Sequence, residues 1–281
     1  MRWDRMRASS NVEDRRGLGG VGRGGAKLGL GGIAVVVVVG LLMGKNPIEL
    51  LSLVMQMPAG QGTQQAATGA SDNDQNVQFV SKVLGDTEDT WGALFKDAGS
   101  SYRAPKLVLF RGGVDSACGQ ASSAVGPFYC PGDSQVYLDL GFFDELDKRF
   151  GAGGDFAAAY VVAHEVGHHV QNLIGVSSKV HAQRPQLSDA EGNALSVKQE
   201  LQADCFAGVW GHYASQRGIL EQGDLEEALT AAHAIGDDTL QRNSGRQIVP
   251  DSFTHGTSEQ RIQWFRRGFE AGQIKACNTF S

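Results

Sequence analysis

The run His164-Glu165-Val166-Gly167-His168 sets two imidazoles and one carboxylate within five residues. On an α-helix, positions four apart lie ~40° apart around the axis, so both rings can reach one ion while the carboxylate stands beside them. This is the donor arrangement of a zinc hydrolase. Three protein ligands hold one Zn2+ and leave a position for water, whose pKa the ion lowers to roughly 7. Glu165 is the candidate base that takes the water's proton and returns it to the leaving amine. The third ligand must come from elsewhere in the chain. Glu200, in Glu200-Leu201-Gln202-Ala203-Asp204, carries a negative charge at the expected start of a separate helix and is the candidate. Asp204, one turn later on the same face, suits a hydrogen bond to the outer N–H of His164 or His168. The alternative for these two acids is a solvated helix face. His169 is rotated ~100° from His168 and reads as a packing or hydrogen-bonding residue. His181, His212 and His233 have no ligand-like company.

These side chains need elements to position them. Asp155 is a plausible N-cap and Gly175 a C-cap for a helix over 156–174, which puts the motif mid-helix. Gly167 inside it costs about 1 kcal/mol relative to Ala, so a second element or a substrate chain is expected to pass too close for a methyl group. Ser196 and Gln199 have capping-box spacing and open a helix ending near Gly218, with Phe206, Val209, Trp210 and Tyr213 on its core face. Asp224 with Glu227 and Thr257 with Gln260 repeat that spacing ahead of two further helices, closed by Gly236 and Gly272. Upstream, a helix is expected from Val77 through Val80, Val83 and Leu84 towards Trp91 and Phe95. The β-rich runs 106–110 and 135–140 read as an antiparallel pair, the second of them a candidate edge for an extended substrate. The expected fold class is α+β: a mostly helical, zincin-like metallopeptidase domain over 77–281 with a small antiparallel sheet, preceded by one transmembrane helix.

With 281 residues, 41 % of them apolar, the chain can bury a real core. Its formal charge of -6 hides an asymmetry, because residues 1–27 carry seven Lys/Arg against three Asp/Glu and the remainder is strongly acidic. An acidic body argues against a nucleic-acid partner. Between Lys27 and Lys45 lie 17 uncharged residues, about 25 Å as a helix. The reading is a basic cytoplasmic tail at 1–27, a membrane anchor at 28–45, and a juxtamembrane segment and flexible linker at 46–76. That arrangement makes the lipid bilayer a partner through the N-terminal helix and places the domain periplasmic or extracellular on the cytoplasmic membrane, with a single pass. A cleaved signal peptide competes, but the apolar run exceeds the ~7–15 residues of a signal core. Cys118, Cys130, Cys205 and Cys277 fit two bridges in an exported domain, Cys118 with Cys130 across a short Gly/Ser-rich loop and Cys205 with Cys277 by elimination. Cys205 as a buried apolar thiol is the alternative.

The zinc motif, the Glu200–Asp204 segment, Thr254-His255-Gly256-Thr257-Ser258-Glu259-Gln260-Arg261, Gly126-Pro127-Phe128-Tyr129-Cys130-Pro131 and Val136-Tyr137-Leu138-Asp139 together resemble the bacterial "putative neutral zinc metallopeptidase" family. The similarity runs from about residue 77 to 277, and the N-terminal segment fits that family's single membrane anchor. The resemblance implies a gluzincin-like site in which His164, His168 and Glu200 hold zinc and Glu165 is the base. By likeness to related membrane-associated zinc proteases, His255 would donate to the tetrahedral oxyanion and Arg261 would hold Asp204 or Glu200. Gly256 replaces the Pro that follows the His in those distant relatives. His255 as an ordinary loop histidine is the competing reading. The expected substrate is a peptide or protein. A zinc-containing binding or assembly protein without turnover, and a zinc amidase acting on cell-wall material, are the rival functions; oligomeric state is not legible.

Overall fold

The computed structural model describes residues 1–17 and 74–281. The expected anchor at 28–45 and nearly all of the segment at 46–76 lie outside the described residues. Among those described, no helix is long and apolar enough to cross a membrane.

Helix α1 (Gln75–Asp97) opens on Asp74, whose carboxylate accepts from the Asn76 amide at 3.0 Å, and buries Val80, Val83, Leu84 and Trp91 on one face. Strands β1 (Val12–Asp14), β2 (Lys106–Phe110), β5 (Phe128–Cys130) and β6 (Gln135–Asp139) form one sheet in the order β1-β2-β6-β5. Strands β3 (Gly113–Ser116) and β4 (Gly119–Ser122) make a separate antiparallel hairpin. The small sheet is therefore not the expected antiparallel pair. β2 and β6 run parallel, from Lys106 opposite Gln135 to Phe110 opposite Asp139. The chain between them spends its length on the hairpin and β5, then turns straight back into β6, so β5 takes the antiparallel place. β6 has partners on both sides and offers no free edge to a substrate; that edge belongs to β5.

Of residues 1–27, expected as a basic cytoplasmic tail, 1–17 are described. Met1–Arg16 belongs to the same compact unit as the chain from residue 74 onward. β1 extends the sheet, Val12 lying opposite Leu107 and Asp14 opposite Leu109, and Trp3 packs edge-on against Phe79.

Helices α2 (Gly141–Lys148), α3 (Asp155–Leu173), α4 (Val176–Gln183), α5 (Asp189–Gln216), α6 (Asp224–Ala234), α7 (Asp237–Asn243) and α8 (Ser258–Ala271) follow. α3 runs through the core, with every residue from Phe156 to Gly167 buried. Gly154, not Asp155, is its N-cap, and the Phe156 amide is satisfied instead by Glu227 of α6 at 3.0 Å. α5 begins eight residues before the expected helix, at a Ser188–Glu191 capping box. Ser196 sits inside that helix, its hydroxyl bonded back to the Gly192 carbonyl at 3.1 Å. Glu200 is thus mid-helix, with a rigid element behind it. The close approach that Gly167 announced is α5 itself: a Cβ at Gly167 would lie 2.9 Å from the Ala203 carbonyl oxygen and 3.1 Å from its Cα. Both cysteine pairs are bridged, Cys118–Cys130 and Cys205–Cys277, so Cys205 is not a buried thiol.

Candidate metal centre and catalytic cleft

The absence of a side chain at Gly167 lets α3 and α5 approach until the Glu200 carboxylate meets both imidazoles. His164 Nε2 lies 3.2 Å from Glu200 Oε2 and His168 Nε2 lies 3.4 Å from Oε1. One donor atom from each of the three residues falls within 4.8 Å of the others, a grouping able to hold one metal ion.

The outer nitrogens are fixed as well. His164 Nδ1–H donates to Asp204 Oδ1 at 2.8 Å. Asp204 is 0 % exposed, accepts from the Tyr160 hydroxyl at 2.6 Å, and is gripped through both oxygens by Arg261, with Nε and Nη2 each at 2.9 Å. His168 Nδ1 faces Gln171 Oε1 at 2.9 Å. Gln171 Nε2 is committed to the Gln199 carbonyl and to Gln202 Oε1, so its oxygen is the end turned to the ring and His168 is the donor. Each ring therefore keeps its Nδ1–H on the outer side, which leaves Nε2, the nitrogen facing Glu200, as the atom that would bind a metal. Sequence reasoning did not single out Gln171 or Tyr160. Gln171 stands three residues after His168 on the same helix face, a local signal that could have found it.

Burial opposes a proton on His164, but the charge of Asp204 outweighs it and lifts the ring to about 10. His168 is raised against the same burial by Glu200. Glu200 is driven well below the usual carboxylate range, the two rings overcoming the burial that favours its neutral form. The metal-free centre thus favours positive charge on the rings, where a bound cation would replace it. At pH 7 the His164 ring carries a proton that a metal must displace. Zn2+ titrated into chelator-stripped protein, followed calorimetrically in buffers of different ionisation enthalpy, is expected to release protons on binding, with affinity rising as pH rises. Binding without proton release would mean that the rings are not ligands.

Glu165 lies beside the rings and is 7 % exposed. No hydrogen bond or ion pair to its carboxylate occurs among the described residues, and burial raises its pKa. It lines a cleft of about 520 Å³ together with His164, His168, Glu200 and His255. The lining also includes the apolar side chains of Pro127, Phe128, Phe142, Phe150, Val161 and Leu240. The free edge of β5 borders the cleft through Phe128 and Tyr129. His255 is 50 % exposed at the side chain and precedes α8. Its loop is tied to Asp237 at the start of α7, whose Oδ2 accepts from the amides of Thr254, His255 and Gly256 at 2.8, 2.7 and 3.1 Å. The His255 Nδ1 has Thr254 Oγ1 at 3.0 Å and Asp237 Oδ1 at 3.3 Å, and Nε2 has no hydrogen-bond partner among the described residues. No sequence motif marked Asp237. His169 is a packing residue: its Nε2–H donates to the Arg103 carbonyl at 2.6 Å, its Nδ1 accepts from Tyr129, and burial lowers it to about 4.

A family model described as "putative neutral zinc metallopeptidase" matches residues 1–280. The chain is 52 % identical over 286 residues to the uncharacterized protein YpfJ of Escherichia coli (strain K12), covering 100 % of this chain and 99 % of that protein. It is 42 % identical over 261 residues to the uncharacterized protein Rv2575 of Mycobacterium tuberculosis (strain ATCC 25618 / H37Rv), covering 86 % of this chain and 85 % of that protein. No solved structure matches.

Proposed function

Because the chain belongs to the putative neutral zinc metallopeptidase family, we propose that it is a membrane-associated zinc endopeptidase that hydrolyses peptide bonds of protein substrates on the extracytoplasmic side. The observation that carries this reading is the convergence of His164, His168 and Glu200 beside a buried Glu165 whose carboxylate takes no hydrogen bond or ion pair among the described residues. A zinc ion held by the three ligands would polarise the scissile carbonyl and acidify water. Glu165 takes the proton from the attacking water and delivers it to the leaving amine. An extended substrate pairs its backbone with the free edge of β5, which reads main chain rather than side chains. The apolar wall of the cleft accommodates aliphatic or aromatic side chains flanking the cleaved bond. The disulfides and the uncharged run at 28–44 support an exported, membrane-associated setting.

His255 donates to the carbonyl oxygen as charge develops there, and Asp237 holds its loop and ring in place. His255→Ala is expected to lower kcat ~10²-fold with little change in KM or zinc content. Asp237→Ala lowers kcat in the same way, and in the His255→Ala background it adds little, which steady-state kinetics of the two single variants and the double variant would show.

Purified full-length protein should cleave denatured protein, stop when chelated, and recover on addition of zinc. Peptidoglycan incubated in parallel should remain intact. Cleavage of peptidoglycan alone, of neither substrate, or of protein in the presence of chelator would overturn the reading.

A further inference from the structure

We propose that Met1–Arg16 lies on the same side of the membrane as the catalytic domain, so that the segment between them meets the bilayer without a net crossing. A single-pass anchor would instead leave the first residues in the cytoplasm.

Three features show that the N-terminal segment is a built part of the domain. β1 is a strand of the sheet, hydrogen-bonded in register to β2. Residues 7–9 lie along α1, where the Ser9 amide donates to the Ser81 carbonyl at 2.9 Å and the Ser81 hydroxyl donates back to the Ser9 carbonyl at 3.0 Å. At the crossing, α1 carries Gly85, and a Cβ there would stand 2.2 Å from the Arg7 carbonyl oxygen. A glycine inside a helix costs about 1 kcal/mol relative to Ala, and contact with residues 7–9 is the reason for this one. The family model likewise matches from residue 1.

The basic charge that pointed to the cytoplasm has a different use in the fold. Arg7 pairs with Glu88 and Asp89, Arg2 with Glu221, and Arg16 with Asp14 and Asp74. Retention of a positive flank concerns charges left at the membrane, and these arginines are matched by acids of the domain. The last pair also fixes the topology. Arg16 Nη1 is 2.6 Å from Asp74 Oδ2, so the chain leaves for residues 18–73 and returns from them at one point. One crossing would separate those two residues by ~30 Å of hydrocarbon. The two disulfides assign the shared side to an oxidising compartment.

The four native cysteines are paired, so an added thiol can be labelled selectively. Full-length chains carrying Ser10→Cys or Ala8→Cys, both exposed positions on the N-terminal segment, are compared with Asp97→Cys on the exposed end of α1. Cells stripped of outer layers, with the cytoplasmic membrane intact, are treated with a membrane-impermeant maleimide before and after lysis. All three thiols are expected to label to the same extent before lysis as after it. Labelling of Asp97→Cys before lysis, with both N-terminal thiols protected until lysis, would overturn the proposal. Protection of all three would overturn the exported placement. The outcome is independent of catalysis, since the same measurement in a Glu165→Gln background separates failure of this topology from failure of the peptidase reading.

Discussion

Glu165→Gln is expected to retain one zinc ion per chain while kcat/KM falls ~10³-fold, with no loss of stability. The amide has the shape of the carboxylate but cannot take a proton from water. No hydrogen bond or ion pair to the carboxylate is found among the described residues, and burial works against its ionised form more strongly than the neighbouring His164 and His168 favour it. Removing this buried carboxylate relieves a desolvation cost that exceeds its attraction to the two rings, so the metal-free variant should melt at or slightly above the wild-type temperature. The three readouts together are diagnostic. Metal analysis, thermal melting and hydrolysis of a denatured protein would show full zinc, unchanged or raised Tm, and lost turnover. Activity within about tenfold of wild type would remove Glu165 from the role of base.

What the sequence made legible follows the range of the interactions involved. The pairing of His164 with His168 is local, set by helix geometry, and could be read directly. Gly167 also spoke from a single position, since its cost in a helix needed a close neighbour, and that neighbour is Ala203 of α5. The reach of Glu200 to the rings is tertiary; charge and position on a separate helix made it a candidate, and the family resemblance pointed the same way. Asp237 lay beyond both kinds of signal, because its carboxylate serves backbone amides that any residue would present. The runs at 106–110 and 135–140 were recognisable as strands, but β-propensity carries no direction, and the connection between them is long enough for either pairing. The packing of residues 1–16 on the domain was hidden for a related reason. Their arginines look like a membrane flank until Glu88, Asp89 and Glu221, far along the chain, are seen opposite them.

Arg261→Ala is expected to lower stability by ~3–5 kcal/mol and to weaken zinc binding ~10–100-fold, although Arg261 touches no metal ligand atom that faces Glu200. Arg261 is 2 % exposed, and its fork engages both oxygens of Asp204 while Nη1 reaches the Ile235 carbonyl at 3.3 Å. Burial alone would push Asp204 upward; Arg261 and then His164 reverse this and hold it at about 2. Without the guanidinium, Asp204 becomes a buried carboxylate short of its main counter-charge and tends to take up a proton. A neutral Asp204 no longer favours Nδ1–H on His164, and the ring loses the bias that turns its Nε2 lone pair to the metal. Arg261→Lys restores charge without the fork and should recover only part of the loss. Replacing the pair together, Arg261→Met with Asp204→Leu, tests what each partner does. Stability should largely return, since a buried pair exchanged for apolar side chains is often near neutral, but zinc affinity should stay low because the ring still lacks its acceptor. Denaturant unfolding and competitive zinc titration on the same variants measure the two effects separately. If zinc affinity returned together with stability, Asp204 and Arg261 would be a structural pair with no hold on the metal centre.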